Sequence, residues 1–134
     1  INQINGLFAE DSSKKIIVYP TTRRISIQKG KDDSGFGFSI RNTKEDEASF
    51  SYIISAEETS CDIPLSEADN LISLGKERTG ILLPAGTIMD DPIFVRFDIP
   101  DSAPPCNIRY SITIQEGGSI YGTPVDIDLE IQSE

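Results

Sequence analysis

Apolar and polar side chains alternate with a period of two along most of the chain. Phe36, Phe38 and Ile40 alternate with Gly37, Ser39 and Arg41, and Phe50, Tyr52 and Ile54 alternate with Ser51, Ile53 and Ser55. The pattern recurs at Ile93, Val95, Phe97 and Ile99, at Ile108, Tyr110, Ile112 and Ile114, and at Val125, Ile127, Leu129 and Ile131. A period of two puts one face of a strand in a core and the other in water. Shorter β-rich runs stand at Ile16 to Tyr19, Arg24 to Gln28 and Ile81 to Leu83. Pro20 separates the first two, and a proline there suits a strand that leaves one sheet for another. The Phe36–Ile40 and Phe50–Ser55 runs flank a charged turn from Asn42 to Glu47, which predicts a hairpin with aromatic cross-strand partners.

The connections carry turn chemistry. Pro84-Ala85-Gly86-Thr87 supplies a glycine for positive φ, and Glu116-Gly117-Gly118-Ser119 reads as a hairpin turn. Pro100, Pro104 and Pro105 cannot continue a ladder, so the chain must leave the sheet there. One segment differs. Ser66 can cap a short helix with Asp69 three positions on, Ala68, Leu71 and Ile72 give it an apolar stripe, and Gly75 can stop it. The expected fold is all-β: a two-sheet antiparallel sandwich of seven to eight strands, with one short helix in the connection after the third or fourth. Phe36, Phe38, Ile40, Phe50, Tyr52, Ile54, Val95, Phe97, Tyr110, Ile112, Ile127 and Leu129 should form its core.

Composition narrows the function. The 134 residues hold 22 acidic and 12 basic side chains, a formal charge of −10. Such a surface repels nucleic acid and anionic lipid. Histidine is absent, which removes Ser-His-Asp and Cys-His catalysis and the usual zinc constellations. Tryptophan is absent too, which excludes an antibody-type Trp-packed core. Cys61 and Cys106 are too far apart for a CxxC motif. No base can be named to activate a thiol, so a disulfide is expected, and with it an extracellular or cell-surface location. No apolar run approaches the ~20 residues of a membrane span. The chain opens at Ile1 rather than Met, with Ile1, Ile4, Leu7 and Phe8 at helical spacing. Residues 1–14 are expected to be an arm on the domain or the remnant of a removed helix, a membrane anchor for instance. Residues 15–134 are expected to form the domain.

Candidate chemistry is sparse. Asp32, Asp33, Glu45 to Glu47, Asp90 and Asp91 crowd turns and could offer oxygen ligands to Ca²⁺, but without EF-hand spacing the plain reading is solvated turns. Asp126, Asp128 and Glu130 make an acidic ladder on the last strand. A glycosidase would need a second carboxylate across a cleft, so a solvated face or guarded edge is the simpler reading. Ser34 to Ile40 resembles the carboxylate-binding loop of PDZ domains at Gly35, Phe36, Gly37, Phe38 and Ile40, whereas Gly37 as a bulge or a close-packing site within a strand needs no groove helix. The exposed aromatics expected as candidates for a sugar platform are Tyr121 and Phe94 alone. No catalytic, cofactor or metal site is expected.

Leu83, Pro84 and Gly86, then Ile99, Pro100, Ala103 and Pro104, then Tyr110 make a strand, a Pro-Gly turn, a proline-rich corner and a strand with an inward tyrosine. Gly30 precedes, and Asn42 ends, a strand in the front half. In these marks the chain resembles the immunoglobulin-like modules of prokaryotic cell-surface proteins, and more narrowly the ectodomains of small archaeal pilin-like subunits. Cys106 stands where such modules commonly have glycine. The resemblance implies a non-catalytic structural or adhesion module, such as the outer domain of a membrane-anchored or filament subunit. Its partners would be protein or glycan at the cell surface, or further copies of itself, with membrane contact only through a removed anchor. The alternative is a peptide- or carbohydrate-binding accessory module of a larger secreted protein.

Overall fold

The computed structural model describes residues 15–20, 22–30, 34–89 and 91–132. The expected arm, residues 1–14, therefore lies outside the described residues, as do Asp32, Asp33 and Asp90. The strands are β1 (Ile16–Tyr19), β2 (Arg24–Gln28), β3 (Ser34–Ile40), β4 (Ala48–Thr59), β5 (Ile72–Leu74), β6 (Glu77–Leu83), β7 (Ile93–Phe97), β8 (Cys106–Glu116), β9 (Ser119–Ile120) and β10 (Val125–Gln132). One helix, α1 (Leu65–Asn70), follows β4. The fold is thus all-β with a single short helix in the described residues. The described residues hold ten strands rather than seven or eight, because β5 and β9 are too short to show a period in sequence.

Two sheets enclose one core. The smaller runs β1-β3-β7-β5, and the larger runs β2-β10-β8-β4-β6 with β9 paired to β8. Every residue expected in the core belongs to the buried cluster. Rings meet across it: Phe38 meets Tyr52 edge-on at 4.9 Å, and Phe97 packs on Tyr110 at 5.3 Å. Each such pair is worth roughly 0.5–1.5 kcal/mol beyond its buried area. Pro20 does separate two sheets, with β1 pairing β3 and β2 pairing β10 in parallel.

The hairpin expected between β3 and β4 does not form. β3 lies in the small sheet and β4 in the large one, so their aromatic residues face each other across the core instead. The turn between them is held by fully buried Asn42. Its amide donates to the carbonyls of Asp46 and Leu83, both at 2.9 Å, and its oxygen accepts the Lys44 N–H at 2.8 Å. β3 is also paired on both sides, by β1 and β7, which leaves no free edge for a PDZ-like peptide strand. Its Gly35 is a matter of packing, since a Cβ there would collide with the Val95 carbonyl.

The helix departs from expectation at both ends. Pro64, not Ser66, is the N-cap, with no side-chain cap bond, and Ser66 sits inside the helix. Asp69 instead accepts the Ala56 N–H of β4 at 2.6 Å, which anchors the helix to the large sheet. Ile72 already belongs to β5, so Gly75 ends that strand's excursion rather than the helix. The Pro84–Thr87 turn forms as read, with Thr87 N–H to Pro84 O and Gly86 at φ 70°.

Candidate functional site

A groove of about 560 Å³ crosses the outer face of the large sheet. It is floored by β2, β10 and β8 and walled by the far end of β4. On these strands Ile25, Ile27, Ile108, Tyr110, Ile127 and Leu129 are buried inward. The alternate positions therefore point out, and strand register lines them up. Arg24 stands opposite Asp128, Asp128 opposite Arg109, and Arg109 opposite Glu58. A second row brings Ser26 opposite Glu130, and Glu130 opposite Asn107. The first row alternates in charge across four strands at a pitch of about 4.8 Å.

A bulge places Glu58. The β4–β8 register shifts between Ala56 and Glu58, which leaves Glu57 as the extra residue and sets Glu58 against Arg109. Arg109 then joins two acids: its Nε donates to Asp128 Oδ1 at 3.0 Å, and a terminal nitrogen lies 3.7 Å from Glu58 Oε1. The hydrogen bond to Asp128 and that residue's charge raise the Arg109 pKa above its ordinary value. All three side chains are largely exposed, so the pairs orient groups more than they stabilise the fold. Ser26 Oγ donates to Glu130 Oε1 at 3.1 Å. The Arg24 guanidinium and the Asn107 side-chain amide make no hydrogen bond among the described residues.

The disulfide holds the groove's wall to its floor. Cys61 and Cys106 are bonded, with Cα atoms 5.5 Å apart. Cys61 follows the groove residues Thr59 and Ser60, and Cys106 precedes Asn107. Ser60 N–H donates to Asn107 O at 2.9 Å and Asn107 N–H to Ser60 Oγ at 2.8 Å, so the bridge is flanked by a reciprocal pair of bonds.

The other expected site residues scatter. β10 is not a guarded edge: it lies between β8 and β2, and its Asp128 and Glu130 supply one residue to each of the groove's two rows. Phe94 is exposed on the outer face of the small sheet, far in topology from the groove. Tyr121 is buried, not exposed. Its backbone continues the ladder after the hairpin through Tyr121 N–H to Ile114 O, which carries the ring inward against Phe50 at 4.8 Å. Its hydroxyl donates to Arg41 O at 2.7 Å and accepts the Thr43 N–H at 2.9 Å. It is a strut and offers no platform for sugar. Glu45, Asp46, Glu47 and Asp91 belong to no group of three or more candidate metal ligands among the described residues. Arg24, Ser26, Glu58, Asn107 and Arg109 were not singled out from sequence. Their outward positions follow from alternation, but their adjacency depends on pairings up to 104 residues apart in sequence.

No family model and no curated protein matches the chain. Among solved structures the fold is similar to part of a family 123 glycoside hydrolase from Clostridium perfringens, described for glycolipid glycan hydrolysis. The TM-score is 0.58 at 11% identity, over 83% of this chain and 23% of that one. At that identity the likeness concerns the fold alone, and this chain spans under a quarter of the hydrolase's length.

Proposed function

We propose that this chain is a non-catalytic extracellular or cell-surface recognition module of structural or adhesive use, and that the polar groove is the surface it presents. Its body is an immunoglobulin-like sandwich on this reading, such as the outer domain of a membrane-anchored or filament subunit. The observation that carries the proposal is the groove itself. Four strands of a rigid sheet hold two rows of polar groups in fixed register, and a disulfide pins one end. Sites on regular elements keep their geometry without a partner. A disulfide suits an oxidising compartment. Glu58 and Asp128 do face one groove, but Arg109 stands between them and engages both, where paired-carboxylate hydrolysis needs room for a sugar and water.

Two measurements test this together: the thiol state of the protein in its source cells, and surface labelling of intact cells. Oxidised cysteines and accessible protein are expected. A reduced, cytosolic pool would overturn the proposal.

A second reading has its own support. A fold that recurs as 23% of a hydrolase chain suits an accessory module of a larger secreted protein. A catalytic domain encoded on the same chain would favour that reading.

A further inference from the structure

We infer that the groove over β2, β10, β8 and β4 binds a neutral glycan segment of about one to two sugar rings, read through hydrogen bonds. The inference rests on the recognition-module reading and names the ligand class for that same groove. Size comes first. A volume of about 560 Å³ falls within the ordinary range for small-molecule sites.

Charge comes next. Arg24 and Arg109 face Glu58, Asp128 and Glu130, so the lining is close to balanced while the whole chain carries −10. A polyanion meets that overall field, and a cation finds Glu58 and Asp128 already engaged by Arg109. A neutral polar ligand meets neither penalty.

Hydrogen-bonding capacity then selects among neutral ligands. The unbonded Arg24 guanidinium offers donors, the Asn107 amide offers both donors and an acceptor, and the second oxygen of Glu130 accepts. These groups sit on a pitch of about 5 Å across strands and 7 Å along them. Sugar hydroxyls on non-adjacent ring carbons are comparably spaced, and each donates and accepts. A peptide lacks such a match here. It would add to a sheet edge, such as that of β2, which is not the groove's face, or need apolar pockets for its side chains. This groove lies on a sheet face, and its apolar lining residues Ile25, Ile108 and Leu129 are buried beneath it. The lining contains no aromatic residue, so ring stacking adds nothing. Binding should be weak, with a dissociation constant on the order of millimolar.

The test is an amide chemical-shift titration of the disulfide-intact chain. The probes are cellobiose, maltose, lactose and N,N′-diacetylchitobiose, with sialyllactose and an unbiased tripeptide mixture as competitors in class. At least one neutral sugar should shift the amides of Ser26, Thr59, Asn107 and Glu130, saturating in the millimolar range. Asn107→Ala and Arg24→Ala, both exposed and without side-chain hydrogen bonds among the described residues, should each weaken that binding tenfold or more with spectra otherwise unchanged. A groove that answers only sialyllactose or tripeptides overturns the glycan inference and leaves the recognition reading standing. A groove that answers no probe, or shifts confined to another face, overturns the inference as well. The recognition reading itself fails separately, on a reduced cytosolic protein.

Discussion

Replacing Cys61 and Cys106 together by serine removes a cross-link that closes a loop 45 residues in sequence separation. On the chain-entropy relation a loop of that length restricts the unfolded chain by about 4 kcal/mol. Total stability for a domain of this size is about 5–15 kcal/mol, so the loss is large but survivable. Two features let the native state persist. The Ser60–Asn107 pair of hydrogen bonds still ties β4 to β8, and the core cluster reaches well beyond the bridge. Cys106 is nearly buried, so its serine replacement also hides a hydroxyl. For that reason the wild-type chain in reductant is the cleaner comparison. At roughly 3–5 °C per kcal/mol, thermal unfolding should move down by about 12–20 °C. Calorimetry and urea titration with and without reductant measure this, with free thiols counted in the same samples. If two free thiols appear and the midpoint stays within about 0.5 kcal/mol of the oxidised form, the bridge does not constrain the unfolded chain as argued.

Tyr110→Phe should cost about 1–3 kcal/mol in urea unfolding, because it removes a fully buried donor that meets the Ala68 carbonyl at 2.7 Å. Burial first, and the Asp69 charge second, raise the Tyr110 pKa well above its ordinary value. The folded state therefore holds that proton after the unfolded chain has lost it. The associated stability is complete below about pH 10 and falls by about 1.4 kcal/mol for each unit above. Wild type should thus lose more stability than Tyr110→Phe between pH 9 and pH 11; equal losses would refute the assignment. Asn42→Ala should cost about 2–4 kcal/mol by equilibrium unfolding, since it strands two carbonyls and an N–H in a turn. Gly35→Ala should cost upwards of about 2 kcal/mol in the same assay, because its methyl group enters the Val95 carbonyl and must part β3 from β7.

Alternation revealed which side of each long strand faces the core, and the inward residues of β3, β4, β7, β8 and β10 are buried as read. It could not reveal partners. Phe38 and Tyr52 attract equally well as neighbours in one sheet or as opposites across a core, so the β3–β4 hairpin was a reasonable expectation that the buried Asn42 turn defeats. Tyr121 stood among Gly117, Gly118 and Gly122, whose turn signals mask an inward residue. The helix cap misled because Asp69 had a stronger use, as acceptor for β4. Of the groove, one strip of the floor was legible: Asp128 and Glu130 stood out in the acidic ladder of β10. Arg24 and Ser26 reach it only through the parallel β2–β10 pairing, and Glu58 only through a bulge that breaks the period of two.

That parallel pairing has a temporal consequence. Among the described residues β2 finds its ladder partner only in β10, with Ser26 set against Glu130. On a ribosome, β2 emerges about a hundred residues ahead of β10 and waits, its N–H and C=O groups served by water, until β10 is out. The larger sheet cannot be completed in the order in which its strands emerge. Its assembly is held for a closing stitch, so chains cut short before residue 125 should be substrates for chaperones or proteases rather than partly working proteins.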